Sequence, residues 1–458
     1  MEPQRAGARR AVPPRAAVGL ELARALGGLA LLPARAFDFA MCSGALRAEL
    51  ADELHRPVQP EPAPAHSAPP ERALRLFVSC AEASGEAHAL SLVAALRERL
   101  AALGAPEPEL TGLGGRRLRA AGVRLVGEPV ERAAMGFEGM LASLPYYLSL
   151  LEAAARALRD ERPDVCALVD SPALHVPLGR IARRYGVPVV HHVAPQLWGW
   201  APWRVAGYRG AVDRALTILP FERAWLERRG VRAHHVGHPL LDQLPAAPPP
   251  RADEASRTLV LLPGSRSGVI DRNLPWMLSA AARLRLEVPD LEVEVAHADP
   301  AQRARLAGHL ARSGAEGWAR LALGDLHGTL ERARAALSVS GTVLIDLLHQ
   351  RLPAVVVYRL ASRAEAVLSR QLLLAPYFAS PNLLGAREVY PEFCFAGEGP
   401  TEAVCAALRR CYNDPAWRRS CRQGLDLAAR RLGPAGASDR AAAHVLAAAL
   451  GERSPEAT

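Results

Sequence analysis

Short apolar segments alternate with segments of helical periodicity along most of this sequence, and this alternation restricts the fold more than any other feature. Residues 74–79 form an apolar run, which is followed by the polar turn 82–86 and by apolar residues at helical spacing. The pattern returns at residues 165–169 and 187–193. Repeated strand, turn and helix predict a parallel sheet that is covered by helices on both faces.

A second series of the same kind begins after a proline-rich stretch at residues 242–256. The chain is therefore predicted to be of the α/β class, with two Rossmann-like, doubly wound domains at residues 74–245 and 256–450. Ligands of such domains bind at the carboxyl ends of the strands, here in a cleft that the two domains face. The further predicted elements are strands at 259–262, 291–295, 335–339 and 354–358, a helix from about Asn273, and three helices over 401–450 that are separated near Pro415 and Pro434.

Residues 1–73 differ from the rest, because they are rich in proline, alanine and arginine. Such a composition buries too little apolar surface to offset the entropy of ordering, so we expect a disordered extension outside the fold. Residues 17–37 are rich in leucine and alanine, and they are predicted to be a short amphipathic helix or disordered. No uninterrupted apolar stretch reaches about 18 residues, so no membrane-spanning helix is expected.

The charge of the chain bears on its partners. The 458 residues carry a formal net charge of +9, and the basic residues are all arginine. A GC-rich genome would explain the arginines, and attraction to membrane phosphates or sugar nucleotides is the functional alternative. No zinc-finger spacing or basic motif interleaved with aromatic residues indicates a nucleic-acid partner. The seven cysteines include no Cys-x-x-Cys pair, which argues against a zinc ribbon and a disulfide framework and favours a reducing, cytoplasmic compartment.

Two loops after predicted strands have the composition of phosphate-binding loops. In Gly264-Ser265-Arg266, glycine allows close approach, serine adds a hydroxyl and arginine matches phosphate geometry; an ordinary turn is the alternative. Ser340-Gly341-Thr342 precedes a predicted helix, which can bind a diphosphate or can simply be capped by Ser340. Asp346 lies about one helical turn further on, where its carboxylate could accept hydrogen bonds from a ribose diol.

Asp170 and Glu82 are the candidate catalytic carboxylates. Asp170 ends an apolar strand and precedes Ser171-Pro172, and Glu82 lies in the first polar turn. A carboxylate at such a position can act as a general base, which is worth roughly 10²–10⁴ in rate. Capping of the following helix is the alternative for both residues.

A stripe of large apolar side chains at helical spacing is interrupted by Pro145. It is either a core face or, if the substrate is a lipid, a face that binds lipid. Its members are Phe137, Met140, Leu141, Leu144, Tyr147, Leu148 and Leu151, with Met135 and Leu150 beside them.

A series of short motifs resembles those of one enzyme family, lipid-A-disaccharide synthase, and the matches keep their order from about residue 74 to residue 393. The turn Ala81-Glu82-Ala83-Ser84-Gly85-Glu86 resembles the family's Gly-Glu-Ala-Ser-Gly-Asp, and Asp170-Ser171-Pro172 resembles its Asp-Ala-Pro. The other matches are Gly112-Leu113-Gly114-Gly115, Ala134-Met135-Gly136, residues 192–200, Leu219-Pro220-Phe221-Glu222, Val236-Gly237-His238-Pro239, residues 262–266, Ser340-Gly341-Thr342, Pro381-Asn382-Leu383-Leu384 and Arg387-Glu388-Val389.

The resemblance implies a GT-B fold and an inverting transfer without metal or cofactor. The implied donor is UDP-2,3-diacylglucosamine, and the implied acceptor is the 6-hydroxyl of 2,3-diacylglucosamine 1-phosphate (lipid X). It further implies a cytoplasmic protein at the inner-membrane surface and is compatible with a homodimer.

The resemblance also implies roles for individual residues. Asp170 would be the base, with Glu82 beside it. The residues implied to hold UDP are Gly264, Ser265, Arg266, Ser340, Gly341, Thr342, Asp346, Asn382, Arg387 and Glu388. Those implied on the acceptor and lipid side are Ser84, Gly85, Met135, Phe137, Met140, Leu144 and Trp198.

Several positions depart from the family pattern: Ala81, Glu86, Ala173, His175, Ala194, Gln196, Val269 and Asp346. Most of these changes remove polar groups near the implied site, whereas Asp346 only shortens a carboxylate that can still reach a diol. Two alternatives therefore stay open. One is a GT-B relative of different specificity, such as another UDP-sugar transferase or a UDP-N-acetylglucosamine 2-epimerase. The other is a non-catalytic protein that binds a nucleotide sugar or a lipid.

Overall fold

The computed structural model describes residues 12–56, 58–66, 68–130, 144–244 and 255–451. These residues form two compact units. The first comprises the chain up to residue 46, residues 58–242 and the chain from residue 434 onwards. The second comprises residues 47–57 and 243–433. Each unit is built on one parallel sheet, as the alternation of strands and helices predicts.

The described part of the first unit contains seven strands: β1 (Arg75–Ser79), β2 (Glu109–Leu113), β3 (Arg124–Gly127), β4 (Val165–Val169), β5 (Val189–His192), β6 (Arg214–Thr217) and β7 (Ala233–His235). They pair in parallel in the order β3-β2-β1-β4-β5-β6-β7. Every residue of β4 and β5 is buried, which is the pattern of a sheet covered on both faces. The helices that precede, connect or follow these strands are α1 (Pro14–Ala30), α2 (Leu32–Leu54), α3 (Ala83–Ala102), α4 (Arg116–Ala120), α5 (Leu144–Glu161), α6 (Pro172–Arg184), α7 (Val205–Arg209) and α8 (Glu222–Glu227).

The second unit has six described strands: β8 (Thr258–Leu262), β9 (Glu292–His297), β10 (Ala319–Leu323), β11 (Ala333–Val339), β12 (Ala354–Leu360) and β13 (Glu392–Ala396). Their order is β10-β9-β8-β11-β12-β13, again all parallel. The helices are α9 (Ser267–Glu287), α10 (Arg303–Arg312), α11 (Leu326–Arg332), α12 (Val343–His349), α13 (Arg363–Leu372), α14 (Ser380–Gly385), α15 (Thr401–Asn413) and α16 (Pro415–Leu432), and the chain ends in α17 (Ala437–Ala449).

Helix α9 begins six residues before the predicted start at Asn273. Pro275 lies inside the helix, and the Asn273 side-chain amide donates 2.8 Å to the carbonyl of Val269. The three helices predicted over residues 401–450 are confirmed as α15, α16 and α17.

The predicted second domain, residues 256–450, is wrong at its C-terminal end, because α17 belongs to the first unit. The fully buried Ala441 and Val445 of α17 join the core cluster that contains β1 and α3. Asp242 fixes the start of this helix, since its carboxylate accepts the backbone N–H groups of Ala437 (3.1 Å) and Ser438 (2.7 Å). A sequence pattern identifies a helix, but it does not reveal which core the helix completes.

The prediction that residues 1–73 are disordered is also wrong for the part that the structure describes. Residues 14–54 form α1 and α2, and Glu21 of α1 is buried in an ion pair with Arg180 (2.9 Å). Residues 58–66 run beside β7, where the Glu61 N–H donates 2.9 Å to the His235 carbonyl. For residues 14–46 and 58–66, packing within the first unit therefore supplies the stabilisation that the composition of the extension did not suggest.

Within the described residues, no single helix is both long and apolar enough to cross a membrane. The pair α1 and α2 passes that length and composition test together, with a 56° bend between the two helices.

We expect Asp242→Ala to lower the free energy of unfolding by about 1–3 kcal/mol, because it leaves the first N–H groups of α17 without their acceptor. Asp439→Ala is the matched control, since it removes an exposed carboxylate of the same helix that pairs with Arg99 at 2.6 Å. An exposed pair of this kind is worth about 0–1 kcal/mol. Urea unfolding of both variants measures the difference, and equal losses would contradict the capping role of Asp242.

Candidate functional site

In each unit the strand order reverses between two neighbouring strands, β1 and β4 in the first and β8 and β11 in the second. The loops at the carboxyl ends of two such strands open a crevice, which is where doubly wound sheets bind ligands. The predicted residues at these positions are the turn after β1, Asp170 after β4, the loop after β8 and the loop after β11. The topology therefore brings together, within each unit, loops that are distant in sequence.

In the first unit, the turn after β1 lies directly against Asp170. Glu82 precedes α3 as its half-buried N-cap residue, and Ser84 is exposed. A side-chain β-carbon at Gly85 would lie 3.6 Å from Cβ of Asp170 and 3.5 Å from the Val169 carbonyl oxygen. Gly85 thus permits the close approach of α3 to the end of β4, and Glu82, Ser84 and Asp170 share one edge of the sheet.

The backbone of Asp170 is held in an unusual conformation. Asp170 has φ +58° and Ser171 has φ +46°, both in the left-handed region that non-glycine residues seldom occupy. The Asp170 carbonyl oxygen accepts hydrogen bonds from His175 Nδ1 (2.5 Å) and His191 Nε2 (2.8 Å). Such strain persists only where surrounding contacts determine the geometry, and these two imidazoles fix the direction in which Asp170 leaves the strand.

The hydrogen bonds also determine the tautomer of His175. A carbonyl oxygen only accepts, so Nδ1 must carry the proton that is donated to Asp170. In the neutral ring Nε2 is then an acceptor, and the Ser79 hydroxyl of β1 lies 2.9 Å from it as the donor. Ser79, His175 and Asp170 therefore form one chain of hydrogen bonds across the switch between β1 and β4.

These imidazoles are buried in their neutral form. Burial lowers the pKa of His175 to about 3 and the pKa of His191 to about 4. His192, which follows in β5, is also fully buried, and its pKa is lowered to about 3. The first unit thus keeps several histidines uncharged as the pH falls through 6.5. Histidines exposed to water would be about half protonated at that pH.

Trp198, which was predicted on the acceptor side, is a core residue. Only 3% of its surface is exposed, and its ring packs edge-on against Phe221. Its indole N–H donates 2.9 Å to Glu222, a buried carboxylate whose pKa is raised to about 7 by burial. Glu222 also accepts the N–H groups of residues 218 and 219, so it anchors the aromatic loop. Trp200, two residues on, is the exposed tryptophan of this loop.

In the second unit, the loop after β8 has the close backbone approach that its composition predicts. Gly264 has φ +105°, and a β-carbon there would lie 2.6 Å from Val269 Cγ1. Ser265 and Arg266 are exposed, and Arg266 is the N-cap residue of α9. Val339 Cγ2 of β11 lies 3.3 Å from the same β-carbon position, which places this loop beside the one that follows β11.

The loop Ser340-Gly341-Thr342 connects β11 to α12. Gly341 and Thr342 are exposed, and the Ser340 hydroxyl donates 2.9 Å to the Phe378 carbonyl. Asp346 lies in the first turn of α12 and is buried, which raises the pKa of its carboxyl to about 6. His327 Nδ1 lies 4.0 Å from Asp346 Oδ1 and opposes that rise. Asp346 is therefore a desolvated carboxylate next to an exposed loop.

Asn382 corrects another expectation, because its side chain presents no group to a ligand. It is fully buried, its Nδ2 donates to the Tyr390 carbonyl (2.8 Å) and to Glu392 (3.0 Å), and its Oδ1 accepts two backbone N–H groups. Glu392 in turn accepts the N–H groups of Phe378 and Ala379. Asn382 and Glu392 are thus positioning residues, which hold the segment that accepts the Ser340 hydrogen bond. Glu392 could not be predicted from the sequence, since an isolated carboxylate at the start of a strand gives no distinctive pattern.

Of the remaining predicted site residues, some are exposed and others lie outside the described residues. Arg387 and Glu388 are exposed and follow Ala386, which has φ +51°. Leu144 opens α5 and is 41% exposed. Met135, Phe137 and Met140 lie outside the described residues.

One cluster in the described residues has the composition of a metal site: donor atoms of Glu61, His234 and His444 lie within 4.8 Å of one another. The two imidazoles stack at 4.3 Å, and Glu61 is already paired with Arg223. Burial lowers the pKa of His444 to about 3, and the nearby His234, Arg214 and Arg232 lower it further. This positive environment disfavours a cation, so we assign the cluster a structural role between residues 58–66, β7 and α17.

Comparison with known proteins agrees with the resemblance in the motifs. The lipid-A-disaccharide synthetase family model matches residues 76–414. The chain belongs to the lipid-A-disaccharide synthase family. The lipid-A-disaccharide synthase of Myxococcus xanthus is 37% identical over 381 residues, covering 81% of this chain and 97% of that protein. That of Alcanivorax borkumensis is 32% identical over 371 residues, covering 80% and 94%.

Membership of the lipid-A-disaccharide synthase family confirms the predicted family, and with it a UDP-sugar-dependent glycosyltransferase of lipid A biosynthesis. Solved structures confirm the two-domain α/β fold class. Arabidopsis thaliana UGT89C1 complexed with UDP gives a TM-score of 0.51 at 14% identity, covering 82% of this chain and 99% of that one. Neisseria meningitidis UDP-GlcNAc 2-epimerase bound to UDP-GlcNAc gives 0.50 at 12% identity, with the same coverage. At such identities the likeness concerns the fold alone.

The buried neutral histidines predict that the first unit loses stability in mild acid. Their folded pKa values lie below the unfolded value near 6.5, so the unfolded chain binds more protons as the pH falls through 6.5. The stabilisation is complete above pH 6.5 and is lost at about 1.4 kcal/mol per histidine for each pH unit below it. We therefore expect the urea concentration at the unfolding midpoint to decrease when the pH is lowered from 7.5 to 5.5.

His175→Asn tests the contribution of His175 to this pH-dependent loss of stability, because an amide can still donate to Asp170 but does not titrate. The slope of the midpoint against pH should become shallower by about one histidine's contribution. His55→Asn, at an exposed histidine, should leave the slope unchanged. A His175→Asn slope equal to that of the wild type would contradict the assignment.

Proposed function

We propose that this chain transfers 2,3-diacylglucosamine from UDP-2,3-diacylglucosamine to the 6-hydroxyl of lipid X. The acceptor oxygen attacks the anomeric carbon from the face opposite UDP, and the bond to UDP breaks with its electron pair on the departing phosphate. The products are the β-1,6-linked disaccharide 1-phosphate and UDP. The observation that carries the proposal is the position of Asp170 at the switch between β1 and β4 of a chain that belongs to this family.

Asp170 is proposed as the base that takes the proton of the 6-hydroxyl. His175 and His191 hold its backbone carbonyl, which fixes the position from which the carboxylate extends. Glu82 lies on the adjoining turn and is proposed to assist in orienting the acceptor, together with Ser84 and Gly85. A positioned base of this kind contributes roughly 10²–10⁴ in rate.

The second unit is proposed to hold UDP. The N–H groups at the start of α9 and the exposed Ser265 and Arg266 suit a diphosphate, because a helix N-terminus and a guanidinium both favour phosphate oxygens. Residues 340–342 and the exposed Arg387 and Glu388 would complete the contacts. Asp346 is proposed to accept hydrogen bonds from the ribose diol. No step of this reaction requires a metal or a cofactor.

Both substrates carry acyl chains, so we propose that the enzyme works at the cytoplasmic face of the inner membrane, as a peripheral protein. Leu144, which is 41% exposed at the start of α5, is a described residue that supports an apolar surface on the acceptor side. The other described members of the stripe do not extend this surface, because Tyr147 and Leu148 are half-buried and Leu150 and Leu151 are buried in the core.

Asp170→Asn should lower kcat by roughly 10²–10⁴, because an amide cannot accept the proton of the acceptor hydroxyl. UDP binding, measured by calorimetry, should not change, since the proposed UDP contacts lie in the second unit. Turnover would be measured with both lipid substrates in detergent micelles. Asp160→Asn, at an exposed carboxylate of α5, is the control for loss of a carboxylate. Wild-type turnover in Asp170→Asn would show that the base lies elsewhere.

Asp346→Asn should weaken UDP binding by about 10- to 100-fold, which corresponds to the loss of charge-assisted hydrogen bonds worth about 1.5–3 kcal/mol. Asp346→Glu places a carboxylate at the same position, as the family pattern does, and should restore most of the affinity. Titration calorimetry with UDP measures both variants. If Asp346→Glu loses as much affinity as Asp346→Asn, or if neither variant changes affinity, Asp346 supports the helix and does not bind the ribose.

A further inference from the structure

Exposed apolar side chains are concentrated in one segment of the described chain. Of the twelve large hydrophobic residues that are exposed there, seven lie between residues 20 and 41. They are Leu20, Leu26, Leu29, Leu31, Leu32, Phe37 and Met41, with exposures from 41% to 73%. Scattered exposed hydrophobics are ordinary, whereas a contiguous set of this size marks a binding surface. We call these seven side chains, which lie on both sides of the bend between α1 and α2, the apolar tip.

The base of this helix pair is firmly attached to the first unit. Arg15 pairs with Glu152 of α5 at 3.0 Å, and the buried Glu21 pairs with Arg180 of α6 at 2.9 Å. At the other end, Phe39 packs edge-on against Trp203 with ring centroids 5.4 Å apart. The exposure of the apolar tip is therefore a property of an ordered element that is anchored on both sides of the bend.

A positively charged hollow lies beside the same helix. It is lined by Arg24 of α1 and by Arg180, Arg183 and Arg184 of α6, with residues 206, 207 and 210. Two carboxylates, Glu21 and Asp213, pair with members of this group, so positive charge is in excess. We call these four side chains the arginine hollow.

Two side chains of the tip lie on the same side of α1 as Arg24 of the hollow. Leu20 precedes Arg24 by four residues and Leu31 follows it by seven, which places the three side chains on one side of the helix. Apolar residues next to arginines form the arrangement by which interfacial helices bind an anionic bilayer, with side chains among the acyl chains and guanidinium groups at the phosphates. Because α1 and α2 meet at a 56° bend, the pair fits a bent element lying in one leaflet better than a straight span.

We propose that the apolar tip inserts into the surface of an anionic phospholipid bilayer, while the arginine hollow binds lipid phosphate. This segment lies before residue 76, where the match to the family model begins. The extension would therefore give this enzyme a membrane contact that is separate from the family's common region. The proposal adds a docking element to the proposed function, but vesicle binding can be measured without turnover.

The test uses the full-length protein and vesicles of phosphatidylglycerol with phosphatidylethanolamine, compared with phosphatidylcholine vesicles. In co-sedimentation, the tip variant Leu29→Glu/Leu31→Glu/Phe37→Glu should bind anionic vesicles at least about tenfold more weakly than the wild type, because three charges replace inserted side chains. Leu286→Glu, at an 85% exposed leucine of α9, should bind as the wild type does.

The arginine hollow has its own variant. Arg24→Gln/Arg183→Gln should reduce the preference for anionic over neutral vesicles, and it should weaken the salt dependence of binding. Arg320→Gln, at an exposed arginine of β10, is the matched control. A fluorophore on Cys42, the one exposed cysteine of the described residues, should shift to shorter wavelength with wild-type protein on anionic vesicles.

The tip variant should keep wild-type turnover on substrates in detergent micelles, which separates docking from catalysis. If the wild type binds vesicles but turns nothing over, the proposed reaction fails and the docking stands. Equal vesicle binding by the tip variant and the wild type would overturn the docking proposal. A second result would also overturn it: light scattering shows a dimer in the wild type and a monomer in the tip variant, while vesicle binding is unchanged. The tip would then bind a second copy of this chain.

Discussion

The reversal of strand order in each parallel sheet is the constraint on which both candidate sites depend. Where neighbouring strands send their connections in opposite directions, the following loops separate and leave a crevice that no helix covers. Asp170 is beside Gly85 because β1 and β4 are neighbours, and Gly264 is beside β11 because β8 and β11 are neighbours. Polar residues can therefore gather at one sheet edge, although they come from segments far apart in sequence.

This dependence explains which parts of the fold could be predicted. A polar turn directly after an uninterrupted apolar run is visible in sequence, so β1, β4, β8 and β11 and their loops were predicted. Several strands of mixed composition were not, because β7 reads Ala-His-His and β3 begins with arginine, which hides the apolar pattern. The attachment of α17 to the first unit depends on long-range packing and on the contact with Asp242, which no local pattern reveals.

Side-chain roles were less predictable than positions. Trp198 and Asn382 lie in motifs that suggested ligand contacts, yet each side chain is buried and its polar atoms are hydrogen-bonded within the protein. Their partners, Glu222 and Glu392, become buried carboxylates only in the folded chain, and burial raises the pKa of both to about 7. A sequence places a residue near a site, but the direction of its side chain follows from which polar groups must be satisfied on burial.

Two departures from the family pattern acquire a physical account in the structure. Glu86 is buried, and its carboxylate accepts the Leu118 N–H at 3.0 Å, so the longer side chain satisfies the start of α4. His175, at a position where the family pattern has asparagine, donates to the Asp170 carbonyl through a ring that must stay neutral. An amide would supply that donor without a titrating group. The imidazole also accepts from Ser79, so it ties β1 to the loop of Asp170 at the cost of making this geometry depend on pH.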